Sequence, residues 1–401
     1  MTSLVQKRKF LAAAFLLAMT FCNVALLFRV IPSLRNGYQD FTIFYTGARL
    51  VRNGQASALY DLATQYRTQL TFARVAIRQG PLPFNHPPFE ALLFVPFTLL
   101  EYWPAYLLWS ALNMIMLTVS VTLLRRHFRL LAGVPVLVVG LAATAFFPVA
   151  IGIIQGQDVI LLLLLFVLAV ICLDGGNDAV AGALLAAGLF RPQLVVPLVA
   201  LLAIRRWRVL VGFAPVALLL AGVSVAIMGW RGPLDYVRFV IRLEGTGAGA
   251  FGPEVVPNIR GLVAELPALS ASGPWTALLI LALSLVVFFV ALSRIRARPD
   301  SIIFTSSLAA VATILISFHA LVYDLTLLFP TLLFLLARTV DARGKIIDAQ
   351  TLLLVFLLLL SPLYVFLWLV VERFFWFSLI LLWLYLRLVL APAPAEAPAG
   401  A

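Results

Sequence analysis

Asp40 opens the run Asp40-Phe41-Thr42-Ile43-Phe44-Tyr45-Thr46-Gly47-Ala48-Arg49. A carboxylate at a helix start can cap free backbone N–H groups or take a proton from a substrate hydroxyl, and the two roles do not exclude each other. Further on come Asp61 in Leu59-Tyr60-Asp61-Leu62, and His86 just before Pro87-Pro88. The proline pair is a helix-start device; His86, one of three histidines, is either a surface residue or a ligand contact. Gln157-Asp158 follows Gly156 at the head of an apolar run, where Asp158 again reads as a cap or as a working acid. Arg191-Pro192 stands between two short apolar segments. An arginine there is costly unless it meets water, a partner or an anion, which makes it a candidate phosphate site. Asn258-Ile259-Arg260-Gly261 reads by default as a turn. His319 lies at the end of an apolar run with Tyr323 one helical turn on, then Asp324; the pair is either a satisfied helix end or part of a site. There is no Gly-Lys-Ser/Thr phosphate loop, no G-x-S-x-G elbow and no His-Glu-x-x-His pair, so ATP-driven transport and metal-dependent proteolysis have no support.

The elements that must hold these residues are membrane helices. Of the 401 residues, 63% are hydrophobic and 11% charged, against roughly 45–50% and 25% in soluble domains. Lipid is therefore the main solvent. The formal charge of +12 gathers in runs such as Lys7-Arg8-Lys9 and Arg205-Arg206-Trp207-Arg208 beside apolar stretches, the mark of cytoplasmic membrane edges and not of a nucleic-acid surface. Cys22 and Cys172 sit in apolar segments and offer no disulfide framework or zinc spacing.

A span takes about 20 apolar residues. Twelve spans are expected, at 10–31, 103–124, 130–150, 158–173, 179–190, 194–204, 209–229, 275–293, 301–318, 320–337, 348–366 and 374–390. Segments 179–190 and 194–204 are short but kept separate, because merging them would place Arg205-Arg206 and Arg294 to Arg298 outside, against the positive-inside rule. Two long hydrophilic stretches, 32–86 and 230–274, then share the outer face. Phe41, Phe44, Tyr45, Ala48 and Val51 repeat at helical spacing, which predicts an amphipathic helix lying on the outer leaflet. Segment 87–100 suits an interfacial or re-entrant helix. Residues 1–390 form one membrane domain, and 391–401 a disordered cytoplasmic tail.

A charged N-terminus, one span, an outer loop opening with Asp-Phe-x-x-Phe-Tyr-x-Gly-Ala-Arg and running through Asn53-Gly54 to Leu59-Tyr60-Asp61, then a Pro-Pro helix, resembles glycosyltransferase family 87. Gly156-Gln157, Ala181-Gly182, Arg191-Pro192, Arg205-Arg206-Trp207 and Asn258 with Arg260-Gly261 also fit, so the likeness covers most of the chain through order and spacing. The resemblance implies an all-α, GT-C type enzyme using a polyprenyl-phosphate sugar, typically mannose, in a bacterial inner membrane with its site on the outer face. Asp40 would be the catalytic base. His319, Arg191, Arg260 and Tyr323 would hold the donor phosphate or lipid, and Tyr45, Arg49, His86, Gln157 and Asn258 the substrates. The family's usual Lys-Pro is Arg191-Pro192 here, and its Asn-Gln-Ser is Asn258-Ile259-Arg260. The partners implied are a polyprenyl-phosphate donor, a glycolipid or glycan acceptor and membrane lipid, with no nucleic acid. No cofactor is called for, though a divalent metal at the phosphate stays open. Competing readings are a transporter or flippase for lipid-linked sugars, a non-catalytic assembly subunit, and a pentosyl or amino-sugar transferase of the same fold.

Overall fold

All the regular elements among the described residues are helical. The computed structural model describes residues 2–73, 81–128, 131, 134–246, 252–266, 273–297, 301–338 and 348–391; most of the tail and parts of the basic loops, with Arg129, Arg298, Arg343 and Lys345, fall outside these residues. The helices are α1 (Thr2–Arg35), α2 (Phe41–Arg52), α3 (Leu62–Leu70), α4 (Pro88–Phe94), α5 (Tyr102–His127), α6 (Val136–Ala145), α7 (Phe147–Gln155), α8 (Val159–Asp174), α9 (Asp178–Ala187), α10 (Pro192–Ala203) and α11 (Arg208–Met228). There follow α12 (Gly232–Thr246), α13 (Ile259–Ala264), α14 (Pro274–Ala297), α15 (Ile302–Ile316), α16 (Phe329–Arg338), α17 (Ala349–Leu359), α18 (Ser361–Val365) and α19 (Phe377–Leu390).

Four helices, the 10–35 part of α1 with α5, α11 and α14, are long and apolar enough to cross a bilayer. They turn Phe10, Phe21, Leu218 and Leu281 outward, as lipid-facing helices do. Two further spans arise if bent pairs are counted as one: α6 with α7, bent by 65°, and Ala349–Leu359 with Ser361–Val370, bent by 57°. The bends fall just before Pro148 and Pro362, which cannot continue a helix's hydrogen-bond ladder. The other expected spans are helices of 10–17 residues, so length supports four to six crossings and not the expected twelve. Segments 179–190 and 194–204 are separate helices, α9 and α10, broken at 188–191. Segment 87–100 forms α4 and a 3-10 turn, together too short to span.

The two ends of the bundle differ in chemistry. Tyr102, at the head of α5, meets Thr42 at 2.8 Å. At its tail, His127 lies 2.9 Å from Asp174 at the end of α8. A helix of 26 residues separates these contacts by about 39 Å. The tail end also holds Arg206, which donates to the carbonyl of Leu173 and to Asp178, both at 2.7 Å. Guanidinium groups there take up carbonyls that helix ends leave free. α9 and α11 touch backbone to backbone: a Cβ on Gly182 would lie 1.9 Å from Val209 O, and one on Gly212 would lie 1.7 Å from Ala179 O. Small residues allow that approach, and it anchors the break that carries Arg191.

One expectation is overturned here. α2 does not lie on the leaflet: every residue from Phe41 to Ala48 is buried. α3, α4 and the 95–99 turn pack around it, so its aromatic stripe meets protein on all sides instead of lipid.

Candidate functional site

Two breaks between helices meet at the Asp40 end of the bundle. The first is the reversal from α7 to α8. Gly156 has φ +65°, and a Cβ there would stand 2.8 Å from the Phe41 Cβ, so glycine alone fits. One face of α5 fixes this turn through its carbonyls. Tyr106 Oη donates to Ile154 O at 2.8 Å, Trp109 Nε1 to Gly156 O at 2.9 Å, and Asn113 Nδ2 to Gln157 O at 3.4 Å. With the backbone held, the side chains of Gln157 and Asp158 are left for the site.

The second break, at 188–191, sets Arg191 before Pro192, which starts α10. Arg191 is 3% exposed and spends its guanidinium on three partners. Nε and Nη2 reach Asp158 Oδ1 at 2.8 and 2.7 Å, Nη1 reaches Asp324 Oδ1 at 3.3 Å, and Nη2 also donates to Gln157 Oε1. The Tyr323 ring lies 5.3 Å from the guanidinium carbon. Asp324 is itself held by the Leu321 amide, which donates to Oδ2 at 2.7 Å.

Asp40 completes the chain. Gln157 Nε2 donates to Asp40 Oδ2 at 2.7 Å, so the carboxylate is tied through one amide to Arg191. The capping reading of Asp40 fails. Its backbone is helical (φ −67°, ψ −19°) and its side chain makes no cap hydrogen bond, because a cap needs extended backbone to swing the oxygen over the next amides. Asp158, at the head of α8, likewise caps nothing.

The Asp40–Gln157–Arg191 chain walls a cavity of about 360 Å³, with Asp158 and Asp324 behind it. Asp40, His86, Gln157, Arg191, His319 and Tyr323, all singled out from the sequence, line it together. His319 and Tyr323 do so from a non-helical link and a 3-10 turn, Val322–Leu328, and not from one α-helical turn as expected. His86 is packed between Phe44 and Phe84, with ring centroids 4.9 and 5.7 Å away. Burial, and next the nearby Arg191 charge, push its imidazole down to about 3, so it is neutral at physiological pH.

Four expected site residues stand elsewhere. Asn258 caps α13 by accepting from Gly261 N at 3.2 Å, and donates to Ser317 O at 2.5 Å. Arg260 Nη1 donates to Phe318 O at 3.0 Å, with its guanidinium carbon 4.1 Å from the Phe318 ring centroid. Both brace the segment that carries His319 and neither lines the cavity. Tyr45 and Arg49 face the opposite side of α2 into a second cavity of about 800 Å³, shared with Arg35, Arg52 and Trp103. There Tyr45 Oη donates to Leu100 O at 2.8 Å, and Arg49 lies over Tyr45 and Phe72. Asp158 and Asp324, named from the sequence, join the site as partners of Arg191, and the structure adds one acid the sequence reading passed over, Glu90. The signal for Glu90 was a lone acid in the apolar helix Pro88–Phe94.

An acceptor-only carboxylate on a cavity wall, held by an amide that a guanidinium orients, is an arrangement for taking a proton from a hydroxyl. The histidine on the facing link can donate to an anion. The sequence profile described as glycosyltransferase family 87 matches residues 84–318, more than half of the chain. That stretch contains His86, Gln157, Asp158 and Arg191, and ends one residue before His319; Asp40 precedes it. No curated protein and no solved structure matches.

Proposed function

Because the chain belongs to glycosyltransferase family 87, it is a membrane glycosyltransferase, and we propose that its donor is a polyprenyl-phosphate sugar, mannose in the first instance. The acceptor is a hydroxyl of a glycolipid or glycan, and transfer takes place on the extracytoplasmic face of a bacterial plasma membrane. Asp40 takes the proton of the acceptor hydroxyl as that oxygen forms its bond to the anomeric carbon. The bond from that carbon to the phosphate oxygen breaks on the opposite face, and polyprenyl phosphate departs with the electron pair. The result is inversion.

The observation that carries this reading is the chain Asp40–Gln157–Arg191 on the wall of a cavity that also presents His319. It divides the roles differently from the sequence expectation. Arg191 is already neutralised by Asp158 and Asp324, so it acts mainly as a positioning residue for Gln157 and, through it, for Asp40. The leaving phosphate then falls to His319. A lipid-linked donor also suits the setting, since its tail stays in the bilayer while its head enters the cavity.

Purified protein in lipid nanodiscs, offered polyprenyl-phosphate mannose or a nucleotide-linked mannose with a glycolipid acceptor, tests the donor class. Transfer from the first with inverted anomeric configuration is the expected result. Transfer from the nucleotide sugar alone, or with retention, would discard the reading.

A further inference from the structure

Behind His86 lies a cluster that shares Asp158 with the Asp40–Gln157–Arg191 chain and adds Glu90. Glu90 sits in the first turn of α4, one helical turn beyond His86, and is 1% exposed. His86 Nδ1 stands 2.8 Å from Glu90 Oε2, and the other group facing the Glu90 carboxyl is a second acid, Asp158. Across from it, Asp158 is fully buried; Oδ1 is held by Arg191 while Oδ2 has no partner. One ligand atom from each of His86, Glu90 and Asp158 lies within 4.8 Å of the other two. Two buried carboxyls placed against each other are costly, and here both approach one imidazole.

Charge sharpens the point. With all groups ionised, Glu90, Asp158 and Asp324 bring three negative charges against the single guanidinium of Arg191 that touches Asp158 and Asp324. That state carries two excess negative charges, which one divalent cation offsets. We propose that His86, Glu90 and Asp158 form a binding site for one divalent transition-metal ion, of the Mn²⁺ or Zn²⁺ type.

The donor set is one imidazole nitrogen with two carboxylates. That mixture suits these ions better than Mg²⁺ or Ca²⁺, which prefer oxygen alone, and three protein ligands leave positions open. The neutral imidazole is the ligating form of a histidine. The surrounding shell is already built. Tyr60 Oη donates to the His86 carbonyl at 2.8 Å, Phe44 and Phe84 fix the ring, and Arg191 holds the far oxygen of Asp158. His86 lines the catalytic cavity and Glu90 does not, so an ion enters past the histidine. Once bound, it pins Asp158 between itself and Arg191, and so stiffens the link to Gln157 and Asp40.

Metal binding is read directly and does not depend on the sugar-transfer reading. Purified full-length protein in nanodiscs is stripped with a chelator, equilibrated with Mn²⁺ or Zn²⁺, desalted, and its metal counted by mass spectrometry. About one equivalent per chain is expected for the wild type, with affinity at least ~10-fold weaker in Glu90→Gln and in His86→Gln and unchanged in Glu101→Gln, a control on the second cavity. Mn²⁺ electron spin resonance should show coupling to an imidazole nitrogen that His86→Gln removes. His86→Gln guards against a folding defect peculiar to Glu90→Gln, and both are scored only as monodisperse protein. No bound metal in the wild type, or equal metal in both variants, overturns the proposal.

Discussion

Among the described residues four aspartates occupy the cap position just before a helix, and they divide by where they lie. On the periphery, Asp61 accepts from Thr64 N at 2.6 Å, and Asp348 accepts from Gln350 N and Thr351 N at 3.0 and 3.2 Å, as caps do. At the cavity, Asp40 and Asp158 occupy the same position relative to α2 and α8 and cap nothing. Backbone conformation separates the pairs. Asp61 and Asp348 are extended (ψ 109° and 101°), whereas Asp40 and Asp158 are helical (ψ −19° and −1°). A helical residue at the cap position turns its carboxylate away from the first amides and frees it for another partner. In this fold an acid that declines to cap is an acid set aside for the site.

The comparison breaks most visibly under substitution at position 40. Asp40→Asn should lower sugar transfer by about 10³-fold at unchanged protein abundance, while Asp61→Asn stays within about 2-fold, since in the proposed mechanism only the first removes the general base. Equal transfer by the two variants would erase the distinction. A smaller effect is expected one link back. Arg191→Lys keeps a charge beside Asp158 and Asp324 but loses the planar fork that also reaches Gln157, and should cost about 10² in kcat/KM.

At the periphery the loss should be in stability and not in turnover. Asp61→Ala should cost about 1 kcal/mol of unfolding free energy, the usual worth of a helix cap, with transfer retained. Its pH dependence has a defined sign. Hydrogen bonds from the Thr64 side chain and backbone hold the Asp61 carboxyl below its ordinary value. The cap's contribution is therefore complete above an unfolded value of about 4 and fades as pH falls below it. Thermal unfolding of wild type and Asp61→Ala between neutral and acid pH should show the two curves converging at the acid end.

Much of this was legible in the residues themselves. Composition required membrane helices, and each expected span contains a helix among its described residues, because apolar runs bounded by arginine and proline leave few alternatives. Arg191 was legible as a buried cation in need of partners, and His86, Gln157 and His319 were legible by rarity or position. What was hidden depends on long-range packing. The Gly156 turn meets Phe41, the neighbour of Asp40, across more than a hundred residues. Tyr45 and Arg49 share a helix with the site, but only the packing of α3 and α4 reveals that their face of α2 opens on another cavity. The α2 stripe of aromatics has the pattern of a lipid-facing helix, and periodicity cannot tell lipid from a protein neighbour. Asn258 and Arg260 read locally as a turn and took their substrate and donor-phosphate roles from the family resemblance; nothing local discloses that their partners are Ser317 and Phe318.

The central claim is that Arg191 works through Gln157 on the Asp40 carboxylate. A double-mutant cycle on transfer rate, with Asp40→Asn and Arg191→Lys alone and combined, tests it directly. If the account holds, Arg191→Lys changes the residual rate of Asp40→Asn by less than about 2-fold, since its target is already gone. If Arg191→Lys costs the same factor in both backgrounds, the two residues act independently and the account is contradicted.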